Sequence, residues 1–298
     1  MADESARLLD AETLNRLSGL EVTARHVVEG FLSGLHDSPY KGSSVEFAEH
    51  REYVPGDDIR RLDWKVYAKS DRFYIKEYEE ETTLKAYLVL DTSRSMEFRS
   101  DGPSKLEYGK QLAAALAYLI QRQQDQVALI LFDEKVRKFL PPQSNQTRLR
   151  TVFRALVEAD SRDKTDLGVI FHEVAERLRQ RSLVVVISDL FDDVERLIHG
   201  LNHMAHRGHD VIVFHTLDAA ELTFPYEKMT RFEGLEIDEK LLANPKALQE
   251  AYLAELAAFQ HRVKSACMGG RMDYVVLDTS RPMSIPLSSY LAMRAKAR

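Results

Sequence analysis

The sequence predicts an α/β fold in which a mostly parallel sheet is flanked by helices. Short apolar runs, rich in β-branched residues, recur at 86–90, 127–132, 183–188, 211–215 and 274–277. Their apolar character is continuous rather than alternating, which is typical of strands that are buried on both faces. Stretches with helical periodicity separate successive runs, and this alternation favours parallel strands joined by right-handed crossovers.

The clearest helix begins after Ser104, which forms a capping box with Glu107, and extends to about Gln123. Its apolar residues cover a wide face, so we expect it to be central. The same periodicity predicts further helices at 27–35, 148–158, 167–179, 192–206, 245–265 and 285–295.

Residues 45–83 differ in character, because charged residues of both signs are mixed there and helical periodicity is lost. Pro55-Gly56 suits the centre of a type II turn, and the alternation around Phe73 and Ile75 indicates a half-exposed strand. This region has too few apolar residues to fold alone. We therefore predict a helical and β-rich segment, 1–83, that packs on a main domain, 84–298.

The overall composition narrows the function classes. The chain has 298 residues, a formal net charge of −6 and one cysteine, Cys267, which excludes an internal disulfide. The mildly acidic balance argues against a nucleic-acid partner. The longest apolar stretch, 112–120, is far shorter than the ~18 residues of a membrane span. The acidic N-terminus does not resemble a signal peptide, so we expect a cytoplasmic protein.

Oxygen-bearing side chains follow several of the predicted strands and loops. Asp91, Ser93 and Ser95 come after the first strand, Thr165 precedes a helix, and Asp189 follows the third strand. Each one alone is explained by a polar loop or a helix cap. Ligands in such sheets bind beyond the carboxyl ends of the strands, and carboxylate and hydroxyl oxygens are ligands that Mg²⁺ prefers. Their coincidence at one edge therefore predicts a metal site.

This pattern resembles the metal-ion-dependent adhesion site of von Willebrand factor A domains, which have a Rossmann-like α/β fold. The resemblance implies that Asp91 holds Mg²⁺, or Mn²⁺ or Ca²⁺, partly through water. Ser93 and Ser95 would bind the cation directly by their hydroxyls. Thr165 would become a further ligand when a partner is bound, and Asp189 would act through water.

The segment before the main domain contains Arg51-x-Tyr53-x-Pro55-Gly56-Asp57-Asp58-x-Arg60-x-x-Asp63-Trp64. This signature narrows the resemblance to the bacterial family called "domain of unknown function 58", from about Gly42 to near the C-terminus. Members of that family tend to be encoded beside MoxR-type AAA+ ATPases, which implies such an ATPase, or its client, as the partner of an adaptor. The residues of the signature, which we regard as an interface candidate, are Arg51, Tyr53, Pro55, Gly56, Asp57, Asp58, Arg60, Asp63 and Trp64.

The charge of the site indicates what it binds. A dication beside one or two carboxylates keeps a net charge near zero or above, so an open coordination position favours an acidic side chain of another protein. The sequence thus predicts a non-enzymatic interaction module. Residues 91–101 contain no glycine, and no phosphate-binding loop or G-x-S-x-G elbow occurs. Asp91-x-Ser93 also lacks the second carboxylate of a haloacid dehalogenase-type phosphatase.

One enzymatic alternative is a metal-dependent hydrolase or nuclease that uses the acidic residues between 57 and 81. Basic residues are interleaved with them, as on a solvated mixed-charge surface. The acidic residues in question are Asp57, Asp58, Asp63, Glu77, Glu79, Glu80 and Glu81.

Two weaker features remain. His199 and His203 have the i,i+4 spacing that can chelate Zn²⁺ or Ni²⁺, and His206 and His209 follow, but imidazoles also suit the C-terminal end of a helix. Residues 276–283 repeat the sequence of 89–96 except that Pro282 replaces the second serine. We interpret this repeat as a chance similarity after two buried strands.

Overall fold

The structure is a computed structural model that describes residues 19–20, 22, 24, 47–54, 66–67, 73–78, 84–161, 166–233 and 240–283. Two compact units are present. The smaller one spans Asp37–Thr83, and the larger one combines Met1–His36 with Leu84–Arg298. The helices predicted at 27–35 and 285–295 lie outside the described residues.

In the smaller unit, strands β1 (Phe47–Glu52) and β2 (Tyr74–Tyr78) form an antiparallel ribbon. Beyond β1, the backbone N–H of Tyr53 donates to the Phe73 carbonyl over 2.9 Å. The Phe73 ring stacks on Tyr67 with 4.4 Å between centroids. The β-rich character predicted for this region is confirmed, whereas the Pro55-Gly56 turn falls outside the described residues.

The larger unit contains most of the regular structure. Its strands are β3 (Lys85–Asp91), β4 (Gln126–Phe132), β5 (Val136–Gln143), β6 (Leu183–Ser188), β7 (Asp210–Leu217), β8 (Thr230–Glu233), β9 (Lys240–Ala243) and β10 (Asp273–Asp278). Its helices are α1 (Lys105–Arg122), α2 (Gln146–Glu158), α3 (Leu167–Arg177), α4 (Val194–His206), α5 (Ala219–Thr223) and α6 (Pro245–Gly269). Within the described ranges, no helix is both long enough and apolar enough to cross a membrane.

Six strands form one sheet in the order β10-β7-β6-β3-β4-β5. All neighbours pair in parallel except β4 and β5, which are antiparallel. The five predicted strands lie within β3, β4, β6, β7 and β10, so the α/β fold class is confirmed. Strand β5 was not predicted, because it is half-exposed at the sheet edge and contains Pro141-Pro142, which breaks the apolar pattern. The short β8–β9 hairpin was also not predicted.

Helices cover both faces of the sheet. On one face, Leu88 and Leu90 of β3 pack in a buried cluster with residues of α1 and α2. On the other face, Val89 packs with residues of α3, α4 and α6. Alternate residues of β3 therefore enter opposite cores, which explains why the strand is apolar throughout. Helix α1 begins with the predicted capping box between Ser104 and Glu107. This arrangement leaves the carboxyl edge of the parallel strands as the place for polar chemistry.

Candidate metal centre

Each parallel strand of the sheet ends at an aspartate or immediately before one. These residues are Asp91, Asp133, Asp189, Asp218 and Asp278. Three of them form ion pairs: Asp133 with Arg137, Asp189 with Lys105, and Asp278 with Arg281. Asp218 instead caps α5, where its carboxylate accepts from the backbone N–H of Ala220 over 2.8 Å. Four of the five carboxylates are thus matched by a cation or by a helix N-terminus.

Asp91 is stabilised differently. It is fully buried, its Oδ1 atom accepts from the backbone N–H of Ser93 over 2.8 Å, and its Oδ2 atom accepts from Oγ of Ser188 over 2.6 Å. Both donors are neutral. Burial, and after it the nearby charge of Asp189, raise the pKa of the Asp91 carboxyl to about 7. A buried carboxylate in this condition gains strongly from a nearby cation.

Two serine hydroxyls join the carboxylates of Asp91 and Asp189. The Oγ atoms of Ser93 and Ser95 lie 3.1 Å apart, and both residues are buried. The Ser93 side chain hydrogen-bonds to Asp91, and the Ser95 side chain hydrogen-bonds to Asp189. The loop is fixed by Thr92, whose N–H and hydroxyl both donate to the Phe132 carbonyl.

Four of the five residues predicted as ligands therefore lie together, and all four present oxygen atoms. Thr165, the fifth, lies outside the described residues. The next described residue, Asp166, is the N-cap of α3, and its carboxylate accepts from the N–H of Val169 over 3.1 Å. The helix cap that the sequence predicted at Thr165 or Asp166 is therefore Asp166.

Asp189 has a cationic partner that the sequence did not reveal. Nζ of Lys105 lies 2.7 Å from Oδ2 of Asp189 and 2.7 Å from Oε1 of Glu221, and the side chains of Lys105 and Asp189 are almost fully buried. Burial alone would raise the pKa of Asp189, but Lys105 lowers it below its usual value. Lys105 lies in the first turn of α1, a position that predicts a solvent-facing side chain.

The family described as "Protein of unknown function DUF58" matches residues 49–262, which is more than half of the chain. The chain belongs to the DUF58 family. Among curated proteins, the DUF58 chain is 26% identical to "Uncharacterized protein Mb1516" from Mycobacterium bovis over 219 residues, covering 72% of this chain and 68% of that protein.

Solved structures similar to this DUF58 protein include two proteins of low sequence identity. BatB from Bacteroides thetaiotaomicron is 19% identical, with a TM-score of 0.44, and the match covers 72% of this chain and 99% of BatB. The SpRpn10 VWA domain is 12% identical, with a TM-score of 0.40, and the match covers 71% of this chain and 95% of that domain.

The loop after β6 in this DUF58 protein has an uncommon backbone conformation. Leu190 is buried and has a φ of 57°, in the left-handed region that non-glycine residues rarely adopt. The next residue, Phe191, is 69% exposed, although its backbone N–H donates to Oδ1 of Asp189 over 3.2 Å. The conformation of Leu190 therefore buries one apolar side chain and presents the next one to solvent beside the candidate centre.

A buried histidine, His215, contacts the backbone of the candidate centre. It is buried in β7, its Nδ1 atom lies 2.6 Å from the Tyr274 hydroxyl, and it also hydrogen-bonds the backbone of Asp189. Burial lowers the pKa of His215 to about 4, so the ring is neutral at physiological pH. The only sequence indication of this role is a histidine within an otherwise apolar strand.

The loop after β10 repeats the turn of the Asp91 loop. The Ser280 N–H donates to Oδ1 of Asp278 over 2.9 Å, as the Ser93 N–H does to Asp91. The two carboxylates differ in charge compensation, because Nε of Arg281 lies 3.2 Å from Oδ2 of Asp278. The second loop therefore shares the backbone turn without the uncompensated carboxylate, and Asp278 is a matched control for Asp91.

The predicted cluster of histidines on α4 includes a further histidine from α3. His203 lies against His172 of α3, with 2.6 Å between their Nδ1 atoms, and the His199 ring is 5.0 Å from that of His172. His209 is buried. In the described ranges, no three or more His, Cys, Asp or Glu side chains are grouped so that they could hold a metal ion. The Asp91 centre is of another kind, with two carboxylates and two hydroxyls.

The donor set of this centre fits a hard divalent cation, because all four side chains offer oxygen. The other candidate residues are mostly outside the described part of the chain. Of the acidic residues proposed for catalysis, only Glu77 in β2 is described. Of the family-signature residues, Arg51 lies at the end of β1 and Tyr53 packs edge-on against Phe73, whereas 55–64 are not described.

Proposed function

We propose that this DUF58 protein is a non-enzymatic, Mg²⁺-dependent protein–protein interaction module. The observation that carries the proposal is the buried Asp91 carboxylate, which is stabilised by neutral donors while four neighbouring aspartates at the same edge have a cation or a helix N-terminus. A divalent cation beside Asp91 would supply the missing charge. Ser93 and Ser95 would add hydroxyl ligands, and Asp189 would act through water.

The charge of the loaded centre favours an acidic partner group. Lys105 balances the negative charge of Asp189, and serine hydroxyls carry no charge. A dication held by Asp91 exceeds the single negative charge of that carboxylate, so an open coordination position attracts an anionic oxygen. A Glu or Asp side chain of another protein has the required chemistry, and Thr165 would complete the ligand set in that complex.

For the partner, we propose a MoxR-type AAA+ ATPase or its client, with this protein as the adaptor in the cytoplasm. The support is the gene arrangement that is typical of the family. Phe191 adds an exposed apolar contact beside the centre, and such aromatic side chains often dominate protein interfaces.

Thermal unfolding with EDTA, Mg²⁺ or Mn²⁺ tests the cation site. We expect Mg²⁺ to raise the melting temperature of the wild type, because a ligand that binds only the folded state stabilises it. Asp91→Asn should lose this response, and the matched control Asp278→Asn should keep it. A response of Asp91→Asn equal to that of the wild type contradicts the proposed site.

Binding of the purified chain to a MoxR-type ATPase encoded beside it tests the partner. We expect binding that is lost in EDTA and in Asp91→Ala, and retained in Asp278→Ala. Tight binding in EDTA by Asp91→Ala would refute a cation-dependent interaction. The alternative, a metal-dependent hydrolase or nuclease that uses the acidic residues between 57 and 81, is tested by incubation with DNA or RNA and Mn²⁺.

A further inference from the structure

Lys105 is a buried cation that contacts Asp189 of the candidate metal centre. Its Nζ atom hydrogen-bonds to both Asp189 and Glu221 at 2.7 Å. The residue is 2% exposed, so its ammonium group is not available to a partner protein in this conformation. Lys105 therefore acts on the centre only through its charge and through its hold on Asp189.

Two effects make a charged lysine unfavourable at position 105. Burial disfavours the ammonium, and the first turn of a helix is the positive end of the helix dipole. Asp189 and Glu221 outweigh both effects and hold the pKa of Lys105 above its usual value. A methionine would fill a similar volume without a charge. Packing alone therefore does not account for a lysine at this position.

We propose that Lys105 sets the cation affinity of the centre, because it lowers that affinity until a partner supplies a further carboxylate. This inference rests on the proposed function, since it concerns the same cation. Lys105 occupies Asp189 and places a positive charge close to the dication. Like charges at such distances repel strongly in a buried site.

The consequence is a coupling between cation and partner. With Asp189 neutralised by Lys105, the centre offers the dication only one uncompensated carboxylate, that of Asp91. The partner's Glu or Asp provides the second one. The cation then strengthens partner binding, and the partner strengthens cation binding by the same factor. The isolated protein would hold the cation weakly, and the complex would hold it tightly.

Titration calorimetry with Mn²⁺ alone, on the full chain, tests this role. We expect Lys105→Met to tighten Mn²⁺ binding by about tenfold or more, since a repelling charge is removed and Asp189 is released. Glu221→Gln removes a negative charge on the far side of Lys105 and should weaken binding by a similar factor. Lys105→Arg keeps the charge and should bind Mn²⁺ within about threefold of the wild type.

Lys105→Met and Glu221→Gln are expected to change the Mn²⁺ affinity in opposite directions, and this contrast distinguishes a charge effect from a structural one. If Lys105 only holds α1 in place, both Lys105→Met and Glu221→Gln should lower the melting temperature in EDTA and neither should bind Mn²⁺ more tightly. Unchanged or weaker binding by folded Lys105→Met overturns the inference. If that variant does not fold, equal or tighter binding by Glu221→Gln overturns it.

Other outcomes of the same titrations would contradict the proposed cation site itself, rather than the role of Lys105. If wild type and Lys105→Met both bind Mn²⁺ and Asp91→Asn removes neither binding event, the cation is elsewhere and the proposed centre is wrong. If neither protein binds Mn²⁺, the centre and the inference both fail. Tighter Mn²⁺ binding by Lys105→Met than by the wild type, abolished in both by adding Asp91→Asn, is the strongest support.

Discussion

The hydroxyl of Ser188 connects the two sides of the candidate centre. Its Oγ atom donates to Oδ2 of Asp91 over 2.6 Å and accepts from the backbone N–H of Leu190 over 2.9 Å. One side chain at the end of β6 thereby orients the carboxylate at the end of β3. The same contact fixes the turn that carries Asp189 and Phe191.

Replacement of Ser188 should destabilise the folded protein. We expect Ser188→Ala to lower the free energy of unfolding by about 1–3 kcal/mol, because a buried carboxylate and a backbone N–H each lose a partner. Urea unfolding in EDTA measures this change. The matched control is Ser280→Ala, an exposed serine whose hydroxyl donates to Asp278, with an expected change below about 0.5 kcal/mol. Equal losses in both variants would contradict the prediction.

His209 should make stability depend on pH. Among the described residues, both ring nitrogens of buried His209 have no hydrogen-bond partner, and burial lowers the pKa of the imidazole below its usual value. The folded state therefore keeps His209 neutral, while the unfolded chain takes up a proton below a pH of about 6.5. Stability contributed by the neutral ring is present above that pH and is lost as the pH falls.

We expect His209→Leu to unfold at higher urea concentration than the wild type, with a gain of about 1 kcal/mol. The gain should be larger at low pH than at high pH, so unfolding is measured at two values on either side of the histidine range. His261→Gln, on an exposed face of α6, serves as the control and should change stability little. A gain that is independent of pH would contradict the prediction, because it would show that the pKa of His209 is the same in the folded and unfolded states.

Helix α1 approaches the sheet most closely at Gly109. A Cβ atom at this position would lie 2.9 Å from Cδ1 of Leu90 and 3.3 Å from Cγ2 of Ile187. We expect Gly109→Ala to destabilise the protein by about 1–3 kcal/mol, because strand side chains in a packed core cannot move away. Gly269→Ala, at the end of α6 with nothing within 4 Å, should be neutral or slightly stabilising. Thermal unfolding of both variants checks the contrast.

Phe191 should affect partner binding without affecting the cation. Phe191 hydrogen-bonds to Asp189 through its backbone N–H, which Phe191→Ser retains, so this variant should keep the Mg²⁺ response of the melting temperature. Binding to the MoxR-type ATPase should weaken by about tenfold or more, as expected for an exposed aromatic anchor. Val276→Ser, which changes an exposed apolar residue on β10, is the control and should bind like the wild type. Loss of the Mg²⁺ response in Phe191→Ser would contradict this separation.

Local patterns were sufficient for most of the elements. Strands β3, β4, β6 and β7 are largely apolar because both of their faces are buried, and β10 keeps an apolar run although it lies half-exposed at the sheet edge. Helix α1 carries its capping box in nearby residues of the chain. Strand β5 was missed because an edge strand needs no continuous apolar run. The contacts between loops at the carboxyl edge join residues far apart in the chain, and no local pattern encodes them.

The sequence by itself determined the fold class and the grouping of the candidate oxygen ligands Asp91, Ser93, Ser95 and Asp189, because parallel strands bring their carboxyl ends to one edge. Only the tertiary structure decided how those ligands are balanced. Ser188 reaches Asp91 across 97 residues of chain, and Lys105 reaches Asp189 across 84. Charge compensation between buried groups is set by distances of a few ångströms in the folded state, and a linear sequence does not contain those distances.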